Sequence, residues 1–74
     1  MTVPELIARI QGDSPVTAAD IRLARTLGVA SNTVAEWRKG YRVPRQIVRA
    51  RLARIGGVVM EEVTWRLTGS AVTQ

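Results

Sequence analysis

Apolar residues recur at helical spacing in successive blocks of the chain, and glycine and proline separate the blocks. The first block places Leu6, Ile7 and Ile10 on one face. Thr2-Val3-Pro4-Glu5 precedes it. In this pattern the Thr hydroxyl and the Glu carboxylate can each accept from the other's free backbone N–H. Pro4 falls in the first turn, where a missing N–H costs nothing. A helix is predicted over about residues 3–11, stopped by Gly12. Asp13-Ser14-Pro15 reads as a turn. Thr17 with Asp20 forms a weaker capping pattern, and Ile21, Leu23, Ala24 and Leu27 continue at helical spacing to Gly28. Ser31 is the next N-cap candidate, and Val34 and Trp37 make a narrow apolar stripe that ends at Gly40. Val43-Pro44 opens a fourth predicted helix with Ile47, Val48, Leu52 and Ile55 on its apolar side, terminated by Gly56-Gly57.

The segment 58–68 fits two patterns. As a strand it aligns Val59, Glu61, Val63, Trp65 and Leu67, which puts an acid on the apolar face. As a helix it aligns Val59 or Met60 with Val63 and Leu67, and Glu62 stands four residues before Arg66 in the favourable order. The helix is preferred, because no second strand is evident to pair with this one. The expected fold is therefore all-α: a compact five-helix domain over residues 1–68 with a polar tail at 69–74.

Length changes the picture in one respect. A chain of 74 residues buries only about 60% of its unfolded surface, so self-association would add useful burial. The chain has no Cys and no His. That removes disulfides, thiolate nucleophiles, zinc fingers and His-based catalytic pairs, and no metal or cofactor is expected. The six acids offer no pair that a chain this small could enclose in a pocket, so an enzyme is not expected. The apolar stretch at the N-terminus contains Glu5 and Arg9, unlike a signal peptide. The longest apolar run, Ile55 to Met60, is far short of the roughly 20 residues that span a bilayer.

The charge sits in one block. From Trp37 to Ile55, 19 residues carry +7 with no acid, so the other 55 carry −2 of the total +5. Such a block can be a solvated helix face, or it can address phosphate or anionic lipid.

Residues 20–39 favour phosphate. A helix-turn-helix needs a small residue where two helices cross, a turn residue tolerant of positive φ, and several apolar positions that pin the pair. Ala24 supplies the first and Gly28 the second. Leu23, Leu27, Val29, Val34 and Trp37 supply the rest. An ordinary αα-hairpin would also want Gly28, but the joint match is more specific.

At these positions the chain resembles the Cro/CI repressor family of phage helix-turn-helix domains. The likeness lies in Leu23-Ala24, Leu27-Gly28-Val29-Ala30-Ser31 and Thr33 to Gly40, with Pro44 shortly after. Trp37-Arg38-Lys39, Pro44 and Gly57-Val58-Val59 are also similar to lambda cII-type activators. The resemblance runs over about residues 18–67 and is specific between 20 and 44. The loop Gln11 to Val16 is longer than is usual there, and Asp20 replaces a typical Gln that contacts DNA.

The resemblance implies a recognition helix at about 31–39, lying in the major groove. Ser31, Asn32, Thr33, Ala35 and Glu36 are the candidates for base contact. Asn32 can pair with adenine, Glu36 can accept from cytosine N4, and Ala35 can touch a thymine methyl. Equally, Asn32 can be a solvated amide, and Glu36 can pair with Arg38 or Lys39. Arg38 and Lys39 at the helix end suit phosphate. In that family the following loop runs along the DNA backbone, which adds Arg42, Arg45 and, through its hydroxyl, Tyr41. Tyr41 can instead simply pack. Arg51 falls inside the expected apolar arc of the fourth helix; it can snorkel, or meet Glu61 or Glu62 of the same or another chain.

Met60, Val63, Trp65 and Leu67 have no obvious partner inside the chain. They are expected to form a homodimer interface, or one of higher order. The implied protein is a double-stranded-DNA-binding transcriptional regulator, a repressor or an activator. The resemblance places it in the cytoplasm of a bacterial host, encoded by a phage or another mobile element, with no membrane partner. RNA polymerase is a possible further partner. The alternative reading is a protein-interaction regulator, an antitoxin or a polymerase-binding factor, that uses the helix-turn-helix as scaffold.

Overall fold

A computed structural model of the chain describes residues 1–67. It is all-α, with four helices among those residues: α1 (Val3–Gln11), α2 (Val16–Leu27), α3 (Ser31–Lys39) and α4 (Gln46–Gly56). The first helix begins as its sequence predicts. Thr2 Oγ1 accepts from Glu5 N at 3.2 Å, and Glu5 Oε1 accepts from Thr2 N at 2.7 Å. The second and third helices begin differently. α2 starts after Pro15, whose ring has no acceptor to serve as a side-chain cap, so Thr17 lies inside the helix instead of capping it. α3 is capped by Ala30, and Ser31 is its first residue. α4 starts two residues after Pro44, with Arg45 at the N-cap, rather than at Val43-Pro44.

The core joins every element. Val3, Leu6 and Ile7 meet Leu23, Ala24 and Leu27, with Val34 and Trp37 from α3, Leu52 from α4, and Val63. Ala24 is buried where α2 meets α3. Gly28 takes φ 74°, a left-handed conformation that a β-carbon would disfavour. The chain thereby reverses within three residues, and Val29 N returns to Ala24 O at 3.0 Å.

The fifth helix is not formed. After Gly57 the chain makes one 3-10 turn, Met60–Glu62, and then runs extended. Thr64 forms an isolated parallel bridge with Thr2, and Thr64 N donates to Met1 O at 2.7 Å. The extended course carries Val63 into the core at 6% exposure. The pairing of Glu62 with Arg66 expected of a helix is absent; Glu62 Oε1 accepts from Val59 N instead. The expected tail, 69–74, lies outside the described residues.

α4 also turns a different face inward than its large aliphatics suggest. Ile47 is 81% exposed and Ile55 is exposed, while Leu52, Ala53 and Gly56 are buried. The small residues decide this. A methyl group on Gly56 would stand 2.5 Å from Leu6 Cδ1, so its absence lets α4 close on α1. Arg9 Nε then donates to Gly56 O at 2.6 Å, placing a cation at the C-terminal end of α4.

Candidate nucleic-acid interface

The α2–turn–α3 hairpin fixes where the outer side chains of α3 stand. Val34 and Trp37 are the buried anchors. With those two inward, Ser31 and Asn32 are exposed, and Thr33, Ala35 and Glu36 are half-buried. Ser31, Asn32 and Ala35 come together in a shallow groove of about 280 Å³ between α2 and α3. Thr33 does not join them. It lines a second groove of about 370 Å³ with Val43, Ile47, Arg42 and Arg45.

Two residues that sequence reasoning passed over complete the first groove. Thr17 and Ile21, one turn apart on α2, form its opposite wall. The sequence predicts Thr17 as a cap and Ile21 on the apolar face with Leu23, Ala24 and Leu27, but Ile21 is 43% exposed, because it lies about half a turn from Leu23 and Leu27 on the helix.

The floor of that groove holds an ion pair. Asp20 is 5% exposed, and its carboxylate accepts three hydrogen bonds. Gln11 Nε2 donates to Oδ1 at 2.6 Å, Arg38 Nε to Oδ1 at 3.4 Å, and Arg38 Nη2 to Oδ2 at 3.1 Å. Three helices are tied at one carboxylate. Arg38 therefore does not stand free at the helix end as expected; it is turned onto Asp20. The signal was an acid among Ala19, Leu23, Ala24 and Leu27, since a buried carboxylate needs a cation or several donors.

Farther along, Glu36 Oε1 accepts from Arg42 Nε at 3.0 Å. Its partner lies beyond Gly40, not at Arg38 or Lys39. Tyr41 is exposed, and its backbone N–H closes the end of α3 on Glu36 O at 2.9 Å. Lys39, the last residue of α3, and Arg42 and Arg45 in the loop that follows it are exposed. The cations of α4 are divided: Arg49 donates to Pro44 O at 2.9 Å and Arg51 to Thr26 O at 3.1 Å, and Arg51 and Arg54 are exposed.

The four residues expected at an interface do not share one surface. Val63 is core. Trp65 is half-buried beneath Arg49, whose guanidinium carbon lies 5.7 Å from the ring centroid. Trp65 Nε1 also donates to Met60 O at 3.2 Å. Met60 is half-buried and Leu67 is exposed. Val63 and Trp65 thus find within the chain the partners that the sequence did not reveal.

Among the described residues, no group of three or more His, Cys, Asp or Glu side chains is placed to hold a metal ion. No helix among them is long and apolar enough to cross a membrane. Compared with family models, curated proteins and solved structures, the chain matches none.

Proposed function

We propose that the protein is a sequence-specific, double-stranded-DNA-binding regulator of transcription, with α2 and α3 as its helix-turn-helix and α3 as the recognition helix. One observation carries this reading. Ser31, Asn32 and Ala35 stand together on the outer face of α3, and Lys39, Arg42 and Arg45 follow them, exposed. A groove-sized helix with polar tips and cations at and beyond its end suits base edges flanked by phosphates. Arg38 orients the helix through Asp20, so the phosphate role belongs to Lys39, Arg42 and Arg45, with Tyr41 beside them. Glu36 reads a base after giving up Arg42 to phosphate. The likeness to Cro/CI-type and cII-type regulators supports the same assignment. It also supports a two-fold assembly, a bacterial cytoplasmic setting, a mobile-element origin and contact with RNA polymerase. The reading requires no cofactor.

The test is an unbiased selection of bound duplexes. Enrichment of paired half-sites about 34 Å apart is expected for a two-fold protein. Three phosphate contacts per chain in a dimer predict a slope of log K against log salt near −5. Asn32→Ala should cost roughly 1–3 kcal/mol on the selected site and little on random DNA. No enrichment, or a slope near zero, would sink the proposal.

A further inference from the structure

Two exposed features near the C-terminal end of α4 have complementary chemistry, and neither forms an ion pair among the described residues. The first is a groove of about 200 Å³ walled by Ile10, Ala19, Leu23 and Ile55, with Arg22 and Thr26 at its edge. Thr26 O accepts from Arg51 Nη2 at 3.1 Å, which fixes a second guanidinium beside the same groove. Neither Arg22 nor Arg51 has an acid partner among the described residues. The second feature is the turn around Met60–Glu62. Val59 is 57% exposed at its start, and Glu61 and Glu62 are exposed on it. Neither acid forms an ion pair among the described residues. The groove offers an apolar wall beside two cations, and the turn offers a branched aliphatic beside two anions.

We propose that this groove receives the Val59-to-Glu62 turn of a second copy of the chain. Val59 would lie against Ile10 and Ile55, and Glu61 and Glu62 would face Arg22 and Arg51. Ile55 walls the groove and Val59 follows it by one short loop, so both features lie at one end of α4. Surfaces so placed can be exchanged about a single two-fold axis, each protomer giving its turn and receiving its partner's. Complementary charge then fixes the register while the aliphatics lose their water. None of these residues belongs to α3 or to the Lys39–Arg45 stretch, so the assembly leaves the DNA face open. The surface extends the two-fold regulator proposed above. Its test contains no DNA, so either reading can fail while the other stands.

The experiment is a charge exchange followed by sedimentation. Wild-type protein should sediment as a dimer at micromolar concentration. R22E/R51E sets acids against acids in its homodimer, and E61K/E62K sets cations against cations; both should sediment as monomers with wild-type helical circular dichroism. An equimolar mixture should recover the dimer, because the heterodimer restores both contacts with the signs reversed. If E62K disturbs the turn, the pair R22E and E61K carries the same exchange. A monomeric wild type, a variant that stays dimeric, or folded variants whose mixture stays monomeric would each overturn the proposal.

Discussion

On one side of α3, Arg38 reaches back to Asp20 at 3.1 Å; past its end, Arg42 reaches back to Glu36 at 3.0 Å. The lengths are nearly equal and the surroundings are not. The Asp20 side chain is 7% exposed, while Arg42 is 58% exposed. A carboxylate taken out of water must be fully satisfied, and removing one partner leaves a costly charge. An exposed pair is already served by water and is worth about 0–1 kcal/mol. The inner pair therefore holds α3 against α2 and α1. The outer pair can be surrendered to a phosphate at little cost, freeing Glu36 as it goes.

The largest expected effect comes from breaking the inner pair. Asp20→Ala strands Gln11 and leaves Arg38 without its anion. A loss of about 2–3 kcal/mol is expected for charged hydrogen bonds of this kind, or roughly 10 °C or more in Tm for so small a domain. Thermal melts of the variant check this. D20L/R38M, which replaces both partners with apolar groups, should recover much of the loss. If Asp20→Ala melts like wild type, the inner pair holds nothing and the contrast collapses.

Breaking the outer pair should separate stability from binding. Glu36→Ala and Arg42→Ala are each expected to move stability by less than about 0.5 kcal/mol. On DNA they should differ from each other. Arg42→Ala removes one phosphate contact per chain, so a dimer's salt slope should become shallower by about 2. Glu36→Ala should leave the slope alone and relax preference at one base position. Equal effects of the two variants on the slope would show that Glu36 acts only through Arg42.

The inner pair also marks where sequence reading reaches its limit. The start of α1 was legible because Thr2 and Glu5 answer each other over three residues. The hairpin was legible because Ala24, Gly28, Val34 and Trp37 stand at offsets that local geometry demands. Asp20 and Arg38 lie 18 positions apart, and nothing in either helix alone requires the other. The outward placement of Ile47 was hidden for a related reason. A wheel weighted by large aliphatics overlooks Ala53 and Gly56, yet close approach to α1 is possible only through such small residues. Residues 58–67 were least legible. Their path is set by contacts with the far end of the chain, the bridge of Thr64 to Thr2 and the bond of Thr64 N to Met1 O, and by Val63 in the core, which no local pattern encodes. The outer face of α3 was largely readable, except that Thr33 falls on the other groove and Thr17 and Ile21 join from α2.

A third carboxylate sharpens the comparison because no side-chain cation pairs with it among the described residues, the N-terminal ammonium adding only the last and smallest of its influences. Glu5 accepts from the Thr2 backbone N–H and engages its side chain; these contacts, with the backbone bond the larger cause, hold its carboxyl below the ordinary value of 4.5. A lowered folded-state value means that the unfolded chain binds the proton more readily. The contribution of the capping pair is then fully present above the ordinary Glu range and is lost as pH falls through the folded value. Glu5→Gln keeps the shape and removes the charge. Wild type and variant should therefore converge in Tm on acidification from roughly pH 6 to pH 3, the range in which Glu titrates. The gap at neutral pH should be smaller than the loss in Asp20→Ala, since this carboxylate is open to water. Melts at a series of pH values check the point. A gap that stays the same across that range would show that the capping bond works through shape alone, leaving the buried Asp20 as the carboxylate in this comparison whose charge matters to the fold.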